Sequence, residues 1–108
     1  MADTLKILYT GQPAATDTLL YTVPASTTTA VRGIHVANTT GTAATITLGL
    51  NSAAALAEAN WFLPELSIPP NGTYDWTGLQ ALEEADTIRA LQGTATALTV
   101  HISGIEIA

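Results

Sequence analysis

Apolar residues recur at every second position in four separate runs: Leu5, Ile7 and Tyr9; Leu19, Tyr21 and Val23; Ala44, Ile46, Leu48 and Leu50; Leu98, Val100 and Ile102. Successive side chains of an extended strand point to opposite faces, so this period places each set on one face of a half-buried strand. No stretch keeps a helical period for more than about three turns. Turn-forming residues separate the runs at Gly11-Gln12-Pro13, Pro24-Ala25-Ser26, Asn38 to Gly41, Pro69-Pro70-Asn71-Gly72 and Gln92-Gly93. Short strands at such spacing predict an all-β fold, a single-domain antiparallel β-sandwich of jelly-roll-like type.

Threonine and alanine occur nineteen times each. The branched Cβ of threonine restricts χ1 in a way that suits a pleated strand. A chain of 108 residues buries roughly two thirds of its unfolded surface and supports one core, so residues 1–108 are expected to form one domain. Val23, Val31, Ile34 and Val36 are expected in that core. Hydrophobic residues make up 47% and charged residues 11%, which excludes disorder of the highly charged kind.

Local exceptions to the simple pattern are also legible. Ile105 and Ile107 fall out of phase with Leu98, Val100 and Ile102, which makes Gly104 a candidate β-bulge. Residues 52–60 and 79–86 have a helical texture, enough for a turn or so of helix. The segment Gly41 to Leu50 echoes Gly93 to Ile102, each following a strand candidate, which suggests two hairpins of similar build.

Nine acidic against three basic residues give a net charge of −6, and Lys6, Arg32 and Arg89 are scattered. Nucleic acid and anionic membrane are therefore not expected partners. The chain has no cysteine, hence no disulfide and no thiolate site. Its opening, MADTLKILYTGQP, is acidic where a signal peptide is basic and has too short an apolar run for an anchor. The triplets at Asn38 and Asn71 that match a glycosylation acceptor are read as turn chemistry.

Few residues suggest chemistry. His35 and His101 alternate with apolar neighbours in strand patterns, so their rings are expected to point away from the core, and their spacing matches no metal motif. Ser26, Ser52, Ser67 and Ser103 lie in turn or strand contexts without a nucleophile elbow. Glu83, Glu84 and Asp86 form the one acidic cluster and read as a solvated turn rather than an acid and base pair. No enzyme activity, catalytic residue, cofactor or metal is expected. Trp61, Phe62, Tyr74 and Trp76 gather four of the six aromatic rings near one proline-rich connection. Trp61, Tyr74 and Trp76 form a candidate binding surface for a sugar or a protein, while at least one tryptophan is expected to fill the core.

The run LYTVPASTTTAVRGIHVANTTGTAATITLGL, residues 20–50, resembles a pattern in small structural proteins of tailed bacteriophages. A strand ends in Tyr-Thr-Val-Pro, a second runs into Ala-Asn-Thr, and a Thr/Ala-rich strand follows. IPPNGTYDWTGLQALEEADTIRAL and LTVHISGIEI resemble the second half of the same proteins, so nearly the whole chain is covered. The resemblance implies a virion protein made in the host cytoplasm, most simply a capsid decoration or stabilising protein, with a tail or fibre component that binds a host receptor or glycan as the alternative. It also implies a symmetric homo-oligomer, a trimer first, seated on the major capsid or a tail protein. No active-site residue carries over with it.

Overall fold

The computed structural model describes residues 3–52, 61–94 and 96–108. Eight strands follow one another: β1 (Asp3–Gly11), β2 (Thr18–Thr22), β3 (Thr28–Asn38), β4 (Ala44–Ser52), β5 (Trp61–Ile68), β6 (Thr73–Leu82), β7 (Thr87–Gln92) and β8 (Leu98–Ile107). They form two antiparallel four-stranded sheets, ordered β1-β8-β3-β6 and β2-β7-β4-β5. Every connection except β4 to β5 passes from one sheet to the other, which is the winding of an eight-stranded jelly roll. The all-β sandwich expected from the alternation is the observed fold.

The core lies between the sheets. Ala44, Ile46, Leu48 and Leu50 of β4 and Leu98, Val100 and Ile102 of β8 are all buried, together with Val23, Val31, Ile34 and Val36. Two buried polar side chains are tied to backbone at the sandwich corners. Asn38 donates to the carbonyls of Thr42 (2.8 Å) and Ile68 (3.1 Å), and its side-chain oxygen accepts from the Thr40 amide at 2.9 Å. Gln92 donates to the carbonyl of Pro13 and accepts from the Leu98 amide at 2.7 Å. The expected turn at Pro69 to Gly72 forms, with Gly72 N–H donating to Pro69 O at 2.9 Å and Asn71 at φ 55°. A positive φ at the third position is what asparagine tolerates in such a turn.

Several expectations are corrected. In β1 the buried residue is Leu8, whereas Leu5 and Ile7 are 80% and 68% exposed. Ile7 pairs with Ser103 and Tyr9 with Ile102, so Leu8 is an extra residue that shifts the phase of the strand. Gly104 is not itself the bulge. β8 runs through it, while β1 beside Leu8 and β3 between Val31 and Gly33 carry the irregularities. A Cβ on Gly104 would lie 2.3 Å from Ala30 O and 3.1 Å from Leu8 Cδ1, so glycine here admits a close neighbouring backbone and the inward turn of Leu8.

The two echoed segments are not hairpins. β3 to β4 and β7 to β8 each cross between the sheets, and β3 then pairs with β8 and β4 with β7. The crossings are bonded to each other through Thr39 N–H to Ala97 O, and Gly93 N–H ties the second crossing to Thr45 O at the start of β4. The segment 79–86 is not helical: Leu79 to Leu82 completes β6, with Leu79 exposed and Leu82 buried, and a turn follows. Of the other segment with helical texture, Ser52 ends β4 and residues 53–60 lie outside the described residues.

Candidate functional site

Strand register places one apolar row across the solvent side of the β1 sheet. Leu5 pairs with Ile105, Ile105 with Ala30, and Ala30 with Ala81, so all four strands contribute to it. Ile7 lies one step along β1, Ile107 one step along β8, and Leu79 shares the outward alternation of β6. Among the described residues, three of the four exposed large hydrophobic side chains, Leu5, Ile7 and Leu79, are on this face. The fourth, Leu19, lies on the β2 sheet. Ala30 is buried yet stands apart from the core cluster, since its neighbours on this outer face cover it. The bulge at Leu8 creates the patch by turning Leu5 and Ile7 outward, and sequence alternation alone gives no sign of it.

Further along the same face is a polar row. His101 and His35 are paired across β8 and β3, with ring centroids 6.2 Å apart and planes tilted by 53°. His35 Nδ1 is hydrogen-bonded to the Asp75 carboxylate on β6. Both rings point away from the core, as the alternation predicted. Among the described residues no group of three or more His, Asp or Glu side chains is arranged to hold a metal ion.

The candidate aromatic residues do not converge on one exposed platform. Tyr74 and Trp76 lie on the inward side of β6 and pack against the core, and Trp76 meets Phe62 edge-on at 5.0 Å. These rings close the β5 and β6 side of the sandwich. Trp61 is half-buried at the start of β5, opposite Gly49, and is not among the rings packed on the core.

The acidic cluster is a structural turn. Asp86 accepts from the Glu83 amide at 2.9 Å, and Glu84 accepts from the Ser26 amide at 2.5 Å, tying this turn to the one between β2 and β3. Their carboxylates are occupied with backbone donors. The basic residues are engaged too: Lys6 with Glu106 at 3.3 Å, Arg89 with Asp17 at 3.4 Å, and Arg32 Nε with Gly78 O at 2.7 Å. No cluster of cations results that would attract a polyanion.

One polar clasp joins the sheets on the β1 and β2 side. The Tyr21 hydroxyl donates to Glu106 and is hydrogen-bonded to the fully buried Thr29 hydroxyl at 2.8 Å, while Glu106 also takes Lys6. Burial, and then the hydrogen bond that the neutral phenol donates to the Glu106 carboxylate, push the Tyr21 phenol up to about 12. Burial also raises Tyr9. At the far end an open cavity of about 290 Å³ is lined by Thr40, Thr42, Ala43, Ala44, Thr94 and Ala97. Its lining offers methyls and hydroxyls but no titratable side chain, so acid and base chemistry has no donor there.

No protein-family model matches the chain, and no curated protein matches it. Among solved structures it is similar to the STIV major capsid protein, with 13% identity and a TM-score of 0.35 over 97% of this chain and 48% of that one. The chain thus spans about half the length of that protein. At this level of similarity nothing about the role of the chain follows from the likeness.

Proposed function

We propose that this chain is a structural component of a virus particle, a decoration or stabilising block of a tailed-phage capsid that works by binding alone. The observation that carries the reading is the apolar patch on the outer face of the β1 sheet, which presents Leu5, Ile7 and Leu79 to solvent. A monomeric protein gains nothing from such a face, whereas an assembling one buries it. The sequence resemblance to phage structural proteins supplies the kind of assembly, and the jelly roll is a fold that capsid proteins use among others. A protein seated between neighbouring subunits of a shell adds its binding free energy to the stability of that shell.

The competing reading is a tail or fibre module that binds a host glycan through Trp61, Tyr74 and Trp76. The core packing of Tyr74 and Trp76 disfavours it, because stacking on a sugar ring needs an open aromatic face. Adding the purified protein to particles stripped of it, then following occupancy and resistance to heat, tests the first reading. Saturable occupancy with a rise in the temperature of particle rupture is expected. Glycan binding without any gain in particle stability would favour the second.

A further inference from the structure

We infer that the outer face of the β1 sheet is where a second copy of this chain packs, face to face, about a two-fold axis, with apolar half against apolar half. This rests on the reading of the chain as an assembling block and names the contact by which it assembles. Leu5, Ile7, Ile105, Ile107 and Leu79 form the body of the patch.

The distribution of charge selects the occupant. The chain carries −6, so two copies repel one another over most of their surfaces. Of the nine acidic residues, Glu58 is outside the described segments, which leaves eight. Asp17 and Glu65 lie on the β2-sheet side, Glu83, Glu84 and Asp86 in the turn after β6, and Glu106 inside the clasp. Only Asp3 and Asp75 share the outer face of the β1 sheet by register, and Asp75 is bonded to His35. The apolar half therefore has Asp3 at its margin and the exposed Arg32 beside it. Two like-charged copies can approach here without bringing their carboxylates together.

Self-complementarity and area point the same way. An isologous contact requires that a patch fit itself, and an apolar patch without a charge pattern does so. Four strands of 9, 10, 11 and 10 residues make up the face. At about 4.8 Å between strands and about 3.3 Å per residue, it covers roughly 600 Å². Two such faces together bury about 1,200 Å², the lower end of the range for stable specific pairs. Stacked in this way the two sheets would lie about 10 Å apart, the spacing at which sheet side chains interdigitate. A face that complements itself closes as a pair, in contrast to the trimer that the sequence resemblance implies.

The test is the mass in solution, by light scattering after size exclusion, from low to high micromolar concentration. The full-length wild type is expected at twice the chain mass at high concentration. The double variant Leu5→Glu, Ile7→Glu is expected at the chain mass with an unchanged far-UV spectrum, because both side chains are already in water. Leu19→Glu, on the other sheet, is expected to behave as the wild type. If the double variant does not fold, Leu79→Glu decides by the same halving of mass. A wild type that stays at the chain mass, a mass of three chains, or a folded face variant that keeps the twofold mass overturns the inference. Particle binding separates it from the function on which it rests: a monomeric wild type that still occupies particles removes this contact alone, while a pair that never attaches keeps the contact and removes the particle role.

Discussion

At the scale of single residues, Tyr21 is the titratable group among the described residues that the fold shifts furthest from its free state. Its phenol, ordinarily at 10.0, is pushed up to about 12 in the folded chain. A raised folded value means that the neutral form is favoured by folding, so the contribution is complete below pH 10 and is lost as pH climbs through 12. Tyr21→Phe removes the hydroxyl and leaves Glu106 and the buried Thr29 each short of a partner. A loss of about 1–2 kcal/mol near neutral pH is expected from denaturant unfolding. The gap between variant and wild type should narrow between pH 10 and 12, since only the wild type pays the cost of ionising there. A gap that widens with pH would contradict the assignment. The same scale holds the histidines, whose outward direction was legible from alternation, although their pairing across β3 and β8 was not. Replacing His35 and His101 by Gln is expected to change stability by less than about 0.5 kcal/mol, as for other surface sites. Chelator is expected to leave the melting temperature where it is, and stoichiometric zinc in purified protein would overturn that.

At the scale of elements, two of the four inner strands were legible from alternation, whereas the edge strands β1 and β2 each carry a phase shift that it did not reveal, the second leaving Leu19 exposed. β4 and the first part of β8 are flanked on both sides by partners, and their alternation maps directly onto burial. β1 carries an extra residue at Leu8 whose cause lies in its neighbour, where Gly104 leaves room for the leucine. Such a phase shift depends on a contact about a hundred positions away along the chain, so no local period can reveal it. The helical texture of LQALEEAD misled for a related reason. Its Leu79 and Leu82 are spaced as on a helix face, yet they stand on opposite faces of a strand. Gly104→Ala puts a methyl into the Ala30 carbonyl, a backbone atom that can yield only by moving β3 away from β8. A loss of about 1–3 kcal/mol is expected. Gly41→Ala, with nothing within 4 Å of the added carbon, is the matched control and should stay within about 0.5 kcal/mol. Equal melting of the two variants would show that β3 and β8 have slack at Gly104.

At the scale of the whole molecule, the acidic charge and the apolar face act against each other in assembly, and salt separates them. Copies carrying −6 repel through solvent, and that repulsion is screened over about 10 Å at roughly 0.1 M salt and about 3 Å near 1 M. The contact between Leu5, Ile7, Ile105 and their counterparts contains no ion pair to be screened, and salting-out ions strengthen apolar burial. Salt should therefore tighten the pair, and attachment to particles through apolar and hydrogen-bonded contacts should persist from low to molar salt. The opposite sign is expected of an interface built on Lys6, Arg32 or Arg89, but Lys6 and Arg89 are already paired with carboxylates within the chain, and Arg32 donates to the Gly78 carbonyl. The check is a salt series of the association constant by sedimentation, run beside occupancy on particles. A pair that weakens steadily as salt rises would place charged groups inside the interface, and the apolar face of the β1 sheet would then not be what joins the copies.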